Sequence, residues 1–351
     1  MLHVGIDAHK KYSQVSVKDQ QGQTMDERRL WHDDKEGMRR YFSELPGPKA
    51  AVLEATRNWY WIYDLLEECF DTVKLSHPAK TKLIAEAKVK TDKIDARVLA
   101  ELLRTGFLPE AYVPSRELRE QRELHRFRVC LVCLRTKLKN RVHAVLAKLG
   151  IDQPRSDLFG AGGRQFLEAL ELDETYAEEV KSCVRLIDAI EGEVKMCLKA
   201  IRKNLRQDER AKLLMSVPGI GEIFAYLVLC EIGRIERFVS VKHFVSYSAL
   251  APTTRQSAGH VWHGHVGRQG NLFLKWAFVE AANIAKDKDP ALGALFESLS
   301  RAKGESKAKV AVARKIAIAV YHILRTGEPY RHNRLTKRHL GKPVAALGRK
   351  Y

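Results

Sequence analysis

The first 31 residues, MLHVGIDAHKKYSQVSVKDQQGQTMDERRLW (1–31), hold three strand patterns and one costly residue. LHVGID is a short apolar run, and YSQVSVKD alternates Val15 and Val17 with polar neighbours. QQGQ supplies a turn, and TMDERRLWH reads as a third strand, so the three make a meander. Asp7 lies inside the first of them. A carboxylate in an apolar strand is unfavourable unless something compensates its charge.

Outward from this stretch, DDKEGMRRYFSEL begins with an Asp cap and has helical spacing. The turn PGP leads into AAVLEA, a short buried strand ending near Glu54. NWYWIYDLLEECF reads as an amphipathic helix capped by Asn58, and TVKLSHP as a strand stopped by Pro78. Trp59, Tyr60, Trp61 and Tyr63 on that helix fit core packing better than base stacking. A helix then follows over 79–106, with a break near Lys90–Thr91. The order βββαβαβα matches a ribonuclease H-like fold, a mixed sheet flanked by helices.

Four acids stand out on these elements: Asp7, Glu54, Asp92 and Asp95. Asp7 is on the central first strand and Glu54 ends its neighbour. Asp92 and Asp95 are three apart and share one helix face. Each has a plain alternative: Asp92 as a helix cap, Asp95 as a partner of Lys88 or Arg97, Glu54 as a surface residue. As a set they resemble a carboxylate cage for Mg²⁺, with Mn²⁺ as an alternative ion. Phosphodiester cleavage on such folds uses two metals about 4 Å apart. The acids alone leave the nucleophile open between water and a side chain.

The bulk properties agree with a nucleic-acid enzyme. The chain has 351 residues, 45% of them hydrophobic, and a net charge of +18. That is enough apolar material for two or three domains, and too much for a disordered chain. No run approaches the roughly 20 apolar residues of a membrane span, so no membrane partner is expected. The start enters LHVGID directly, so no secretory leader is expected. The six cysteines are scattered, and Cys130-x-x-Cys133 has no second ligand pair to complete a zinc site. Structural thiols in a reducing cytoplasm fit best. Charge is concentrated in residues 112–148, with ten Lys/Arg against three Glu, and in 301–351, with fourteen against two. Two such regions point to polyanion surfaces, since phosphate neutralisation is their main use.

The rest of the chain reads as helical. Long patterns run over 116–149 and 175–207, separated by the Gly/Pro-rich GIDQPRSDLFGAGG. They point to an antiparallel or intermolecular coiled coil. LLMSVPGIGEIFAYLVLCEIG places two helices around 217–221, a helix-hairpin-helix signature. There Gly219 and Gly221 would let the backbone approach a phosphate; the alternative is an ordinary interhelical turn. In FVSYSALAPTTRQSAGHVWHGHVGRQG (244–270) the glycines and histidines read as a loop region. His260, His263 and His265 beside Trp262 do not fit zinc-ligand spacing, so a structural or nucleic-acid-facing loop is expected. Helices follow from Asn271 and over 305–325. The expected organisation is α/β plus all-α: a catalytic domain at 1–111, a coiled-coil dimerisation segment at 112–208, a C-terminal domain at 209–328 and a basic tail at 329–351.

Six stretches together resemble the insertion-sequence one-ten family of transposases, also called DEDD transposases or RNA-guided bridge recombinases. They are VGIDAHK (4–10), LEAT (53–56), KTDKIDARVLAELL (90–103), LLMSVPGIG (213–221), LAPTTRQSAGH (250–260) and GRQGNLFLKWAFVEAA (267–282). The resemblance covers nearly the whole chain. It implies a RuvC-like domain, a coiled coil and a C-terminal transposase domain. It also implies that Asp7, Glu54, Asp92 and Asp95 bind metal and that Ser257 is the nucleophile, forming a covalent phosphoserine link to DNA. Composition alone would not select Ser257 over Ser246 or Ser248. Ala258 stands where relatives carry a second serine. Arg268-Gln269-Gly270 replaces a common Lys-Arg-Gly, and Leu272-Phe273 a Leu-Arg pair. The implied partners are donor and target double-stranded DNA, a structured noncoding guide RNA, and further copies of the chain as a dimer assembling to a tetramer. The serine of one subunit would work with the acids of another. A water-attacking RuvC-like resolvase and a non-enzymatic nucleic-acid scaffold are the competing readings.

Overall fold

The structure, a computed structural model, describes residues 1–84, 91–153, 156–257, 260–267 and 269–332. The chain divides into two compact units, Met1–Pro114 and Ser115–Tyr351.

The first unit opens with the expected meander, β1 (Leu2–Ala8), β2 (Tyr12–Lys18) and β3 (Thr24–Trp31), each antiparallel to the next. Then come α1 (Lys35–Glu44), β4 (Lys49–Glu54), α2 (Trp59–Cys69), β5 (Thr72–Ser76), α3 (Pro78–Ile84) and α4 (Asp92–Thr105). The sheet order is β3-β2-β1-β4-β5, with β4 parallel to both β1 and β5. A five-stranded mixed sheet with this order is compatible with the ribonuclease H-like reading. Asp34 caps α1, its Oδ1 accepting from Gly37 N at 2.8 Å. The expected cap at Asn58 is different: its side chain accepts nothing from α2. It instead donates to the carbonyls of His9 (2.9 Å) and Lys10 (3.3 Å). The start of α2 is therefore used to fasten the β1–β2 turn.

The two sheet faces are packed differently. Val4, Ile6, Val15, Val17 and Leu53 face α1 and α2, where Phe42, Ile62 and Leu66 are fully buried. Tyr63 is buried with them, and Trp59 and Trp61 pack at the edge, so the aromatic helix serves the core. On the other face Ala50 and Val52 meet Leu99, Leu102 and Leu103 of α4. Here Gly5 decides the geometry. A Cβ on it would collide with Ala96 O and lie 2.5 Å from Ala100 N. The α4 backbone therefore rests directly on β1, as only glycine permits. Lys18–Glu101 (2.7 Å) and the Arg97–Glu27 pair fasten the outer side of α4 to β2 and β3.

The second unit contains α5 (Arg116–Lys148), α6 (Ala161–Ala169), α7 (Glu174–Leu205), α8 (Glu209–Met215), α9 (Glu222–Ile232) and α10 (Val241–Tyr247). The strands β6 (Pro252–Ser257) and β7 (His260–Val266) follow, then α11 (Leu272–Lys288), α12 (Pro290–Lys303) and α13 (Glu305–Thr326). α5 and α7 pack antiparallel within one chain. Val142, Val145 and Leu146 meet Val180 and Cys183 at one end, and Leu131 meets Val194 and Cys197 at the other. The Gly/Pro-rich break runs into α6, whose Leu167 joins this cluster. α9 is buried from Ala225 to Ile232 and forms the centre of the unit's core, packed by α5, α8 and α11.

One expectation is overturned. Pro252–Ser257 and His260–Val266 are not loop but the two strands of an antiparallel ribbon, with Arg255 opposite Trp262 and Ser257 opposite His260. A Cβ on Gly264 would meet Thr253 Oγ1, so this glycine marks close strand packing rather than a chain break. The side chains of His260, His263 and His265 lie outside the described set, as do Lys88 and residues 333–351 of the basic tail.

Two stability predictions follow from this packing. Gly5→Ala should lift α4 from β1 and cost on the order of 3 kcal/mol, an overpacking penalty at a rigid backbone contact; a chemical-denaturation midpoint equal to wild type would refute it. The second concerns His125 of α5, fully buried beside Tyr226 and Phe273, with no hydrogen-bond partner for either ring nitrogen among the described residues. Burial, with Arg128 and Arg126 nearby, pushes its pKa down from 6.5 to about 4. The unfolded chain therefore takes up this proton first, and the stability from a neutral His125 is present above about pH 6.5 and lost as pH falls towards 4. The loss should reach roughly 2–3 kcal/mol at pH 4.5. It should be absent in His125→Phe when the two proteins are melted side by side across that range.

Candidate metal centre

The contact at Gly5 sets where the first turn of α4 falls. Ala96 and Ala100 lie over Gly5, so Asp92, one turn earlier, lies over Asp7, two residues further along β1 on the same face. Thr91 caps this end of α4, its Oγ1 accepting from Ile94 N at 3.3 Å. Asp92 is therefore not the cap, and its carboxylate is available to the site.

Asp7 is 8% exposed. His9 Nε2 lies 3.0 Å from Asp7 Oδ2 and 3.3 Å from Asp92 Oδ1. One ligand atom from each of Asp7, His9 and Asp92 lies within 4.8 Å of the other two. Burial raises the Asp7 pKa; His9 opposes this, while the charges of Asp95 and Asp92 add to it. Asp95 is therefore close enough to Asp7 to be felt electrostatically. Glu54, half-buried at the end of β4, is the next residue after the Ile6–Leu53 pair of the parallel β1–β4 register, which brings it alongside Asp7. Asp92 behaves oppositely. Tyr12 donates its hydroxyl to Asp92 Oδ2 at 2.8 Å, and that bond, helped by His9 and Arg29, lowers the Asp92 pKa. Arg29 sits 4.0 Å above the Tyr12 ring and 3.9 Å from the same carboxylate oxygen.

This donor set suits a divalent cation. A buried carboxylate whose charge is penalised by desolvation and by neighbouring acids gains most from a cation. Oxygen donors favour Mg²⁺, and an imidazole among them also accommodates Mn²⁺. His9, Tyr12 and Arg29 were not selected from the sequence. The Asp7-x-His9 spacing, which returns a side chain to the same strand face, was the available signal for His9. Tyr12 and Arg29 belong only through the pairing of β2 with β3, where Arg29 lies opposite Gln14.

The remaining sequence candidates are in the second unit. Ser257 ends β6 with its side chain exposed. Gly219, at φ +87°, is packed against α11: a Cβ there would strike Ala281 O and lie 2.8 Å from Ala281 Cα. Its glycine is thus required by the core. Gly221, at the start of α9, faces open space.

A family model described as a transposase matches residues 4–151, and a second, described as the transposase IS116/IS110/IS902 family, matches residues 211–297. These assign the protein to the transposases, enzymes of DNA recombination. Similar proteins include a probable family 20 transposase of Pseudomonas aeruginosa, 25% identical over 344 residues, covering 94% of this chain and 99% of that one. A transposase for insertion sequence element IS1328 of Yersinia enterocolitica is 22% identical over 288 residues, covering 80% and 83%. A pilin gene-inverting protein of Moraxella bovis is 31% identical over 127 residues, covering 35% and 39%. The chain belongs to the IS110 family of transposases.

Because Asp92 is held by one charge-assisted hydrogen bond from Tyr12, Tyr12→Phe should weaken Mn²⁺ binding about tenfold. The fold should be unaffected. Calorimetric titration of the purified chain gives the affinity, and an unchanged Kd would show that Asp92 needs no such support.

Proposed function

We propose that this transposase cuts and rejoins DNA through Ser257, with divalent metal held at Asp7, Glu54, Asp92 and Asp95, and that a structured noncoding RNA guides it. The observation that carries the reading is the convergence of Asp7, His9 and Asp92, with Asp95 and Glu54 beside them, in a chain of the IS110 family. The bound metal would neutralise charge on the scissile phosphate and help a weak nucleophile lose its proton.

In the proposed sequence Ser257 Oγ gives up its proton and bonds to phosphorus. The bond from phosphorus to the leaving strand's oxygen breaks, and that oxygen takes a proton. Attack by a hydroxyl of the receiving strand then reverses the exchange and frees Ser257. One phosphoester bond is made for each one lost, so no external energy is consumed. The exposure of Ser257 at the end of β6 supports access to a strand of DNA. The similarity to a pilin gene-inverting protein supports strand exchange over simple hydrolysis.

The proposed division of labour follows the chain. Residues 1–111 form a RuvC-like catalytic domain that holds Mg²⁺. Residues 112–208, with the α5–α7 pair, provide dimerisation towards a tetramer, and 209–328 present the serine. The hairpin loop at Gly221 and the basic tail 329–351 contact nucleic-acid backbone. Sequence reading is left to the RNA, as in other guided systems. Among the described residues no helix is long and apolar enough to cross a membrane.

A suicide DNA substrate tests the chemistry. Wild type should form an adduct that survives denaturation. Ser257→Ala should abolish it, and Asp7→Asn should reduce it at least 100-fold. Both variants should melt within a few degrees of wild type, since Ser257 is exposed and Asp7→Asn relieves crowding of like charge. Cleavage by Ser257→Ala at the wild-type rate would instead establish water as the nucleophile.

A further inference from the structure

Glu231, at the end of α9, is 1% exposed and carries a carboxylate into the core of the second unit. Such a charge is tolerated only where its partners are fixed. Arg126 of α5 grips it with two hydrogen bonds, at 3.0 and 3.1 Å. Arg122, one turn earlier on α5, lies 3.7 Å from the same carboxylate and donates to the carbonyls of Cys230 (2.7 Å) and Glu231 (2.9 Å). Asn271 Nδ2 also donates to Glu231 Oε2, at 2.7 Å.

Asn271 stands where the ribbon β6–β7 rejoins the helices. Its Oδ1 caps α11 by accepting from Leu274 N at 3.0 Å, and its backbone N donates to Tyr247 O at 2.6 Å. Both roots of the ribbon meet here. On the entering side α10 ends in a Schellman turn, with Leu250 N on Val245 O and Ala249 N on Ser246 O, and Ala249 is forced to φ +51°. On the leaving side Gly270 adopts φ +128°, and a Cβ on it would lie 2.8 Å from Tyr247 O and 3.0 Å from Ala249. A non-glycine left-handed residue held against a glycine that cannot be replaced marks a backbone fixed by its surroundings.

We propose that Glu231 is a positioning residue for Ser257. It transfers the placement of α5, through Arg122 and Arg126, to Asn271 and the base of the ribbon. The inference rests on the reading of Ser257 as the nucleophile. It adds that the aim of this serine is set from the long helix α5 through a buried carboxylate.

The test separates the tether from the helix cap. Asn271→Ser keeps an oxygen to cap α11 but loses the donor to Glu231; Glu231→Gln weakens the grip of both arginines. Each variant is studied as the full chain. In Asn271→Ser, hydrogen exchange in residues 260–266 should accelerate about tenfold, with α9 and α11 unchanged. Covalent adduct formation at saturating suicide substrate should slow about tenfold, with the half-saturating DNA concentration unaltered. Glu231→Gln should move both quantities in the same direction. An adduct rate within twofold of wild type in Asn271→Ser overturns the proposal, as does unchanged exchange in the ribbon. An adduct that persists in Ser257→Ala overturns the nucleophile assignment instead, and the exchange data then decide the tether independently.

Discussion

The contact between Gly5 and the backbone of α4 is the constraint on which the candidate metal centre depends. Parallel strands such as β1 and β4 need cover on both faces, and on this face the cover is α4, which packs leucines on β4 and its bare backbone on β1 at Gly5. That closeness brings the first turn of α4 within reach of β1. With a side chain at position 5, the acids of α4 would stand off from Asp7 and the centre would open. The ion pairs of Lys18 with Glu101 and Arg97 with Glu27 fix the remaining freedom, the sliding of α4 across the meander. Packing and electrostatics are thus one arrangement: the glycine gives proximity, and the ion pairs give register.

The same economy governs the charges. The chain is strongly basic, yet each unit buries a carboxylate: Asp7 in the first and Glu231 in the second. The two are treated oppositely. Glu231 has its charge held by arginines and an asparagine in fixed positions. Asp7 has His9 and is otherwise pressed by other acids, so its charge is incompletely compensated. Incomplete compensation costs stability, and it leaves the centre ready to accept a cation.

Much of the first unit was legible because its signals are local. Alternation in YSQVSVKD, the Asp34 cap and the PGP turn each act within a few residues, and the order of elements then fixed the sheet. Asp7 and Asp92 stood out as acids beside apolar patterns. His9, Tyr12 and Arg29 did not, because their parts depend on β2 and β3 folding back beside α4. Asn58 has the chemistry of a cap, but the nearby turn at His9 and Lys10 offered its amide better acceptors. The ribbon β6–β7 was missed for a similar reason. Gly264 reads as a breaker until Thr253 is placed across from it. Gly219 carries the opposite lesson: a glycine that fits a phosphate-binding loop is demanded here by Ala281 of α11.

The ribbon leaves and rejoins the helical unit at almost one point, where Asn271 N meets Tyr247 O. Its roots are closed by backbone geometry at Ala249 and Gly270, outside the strands themselves. A segment anchored this way behaves as a cassette. Its strands can change length, sequence or tip chemistry without a repacking of α9, α11 and α13 beneath it. Related chains can therefore diversify this one insert on an unaltered helical base.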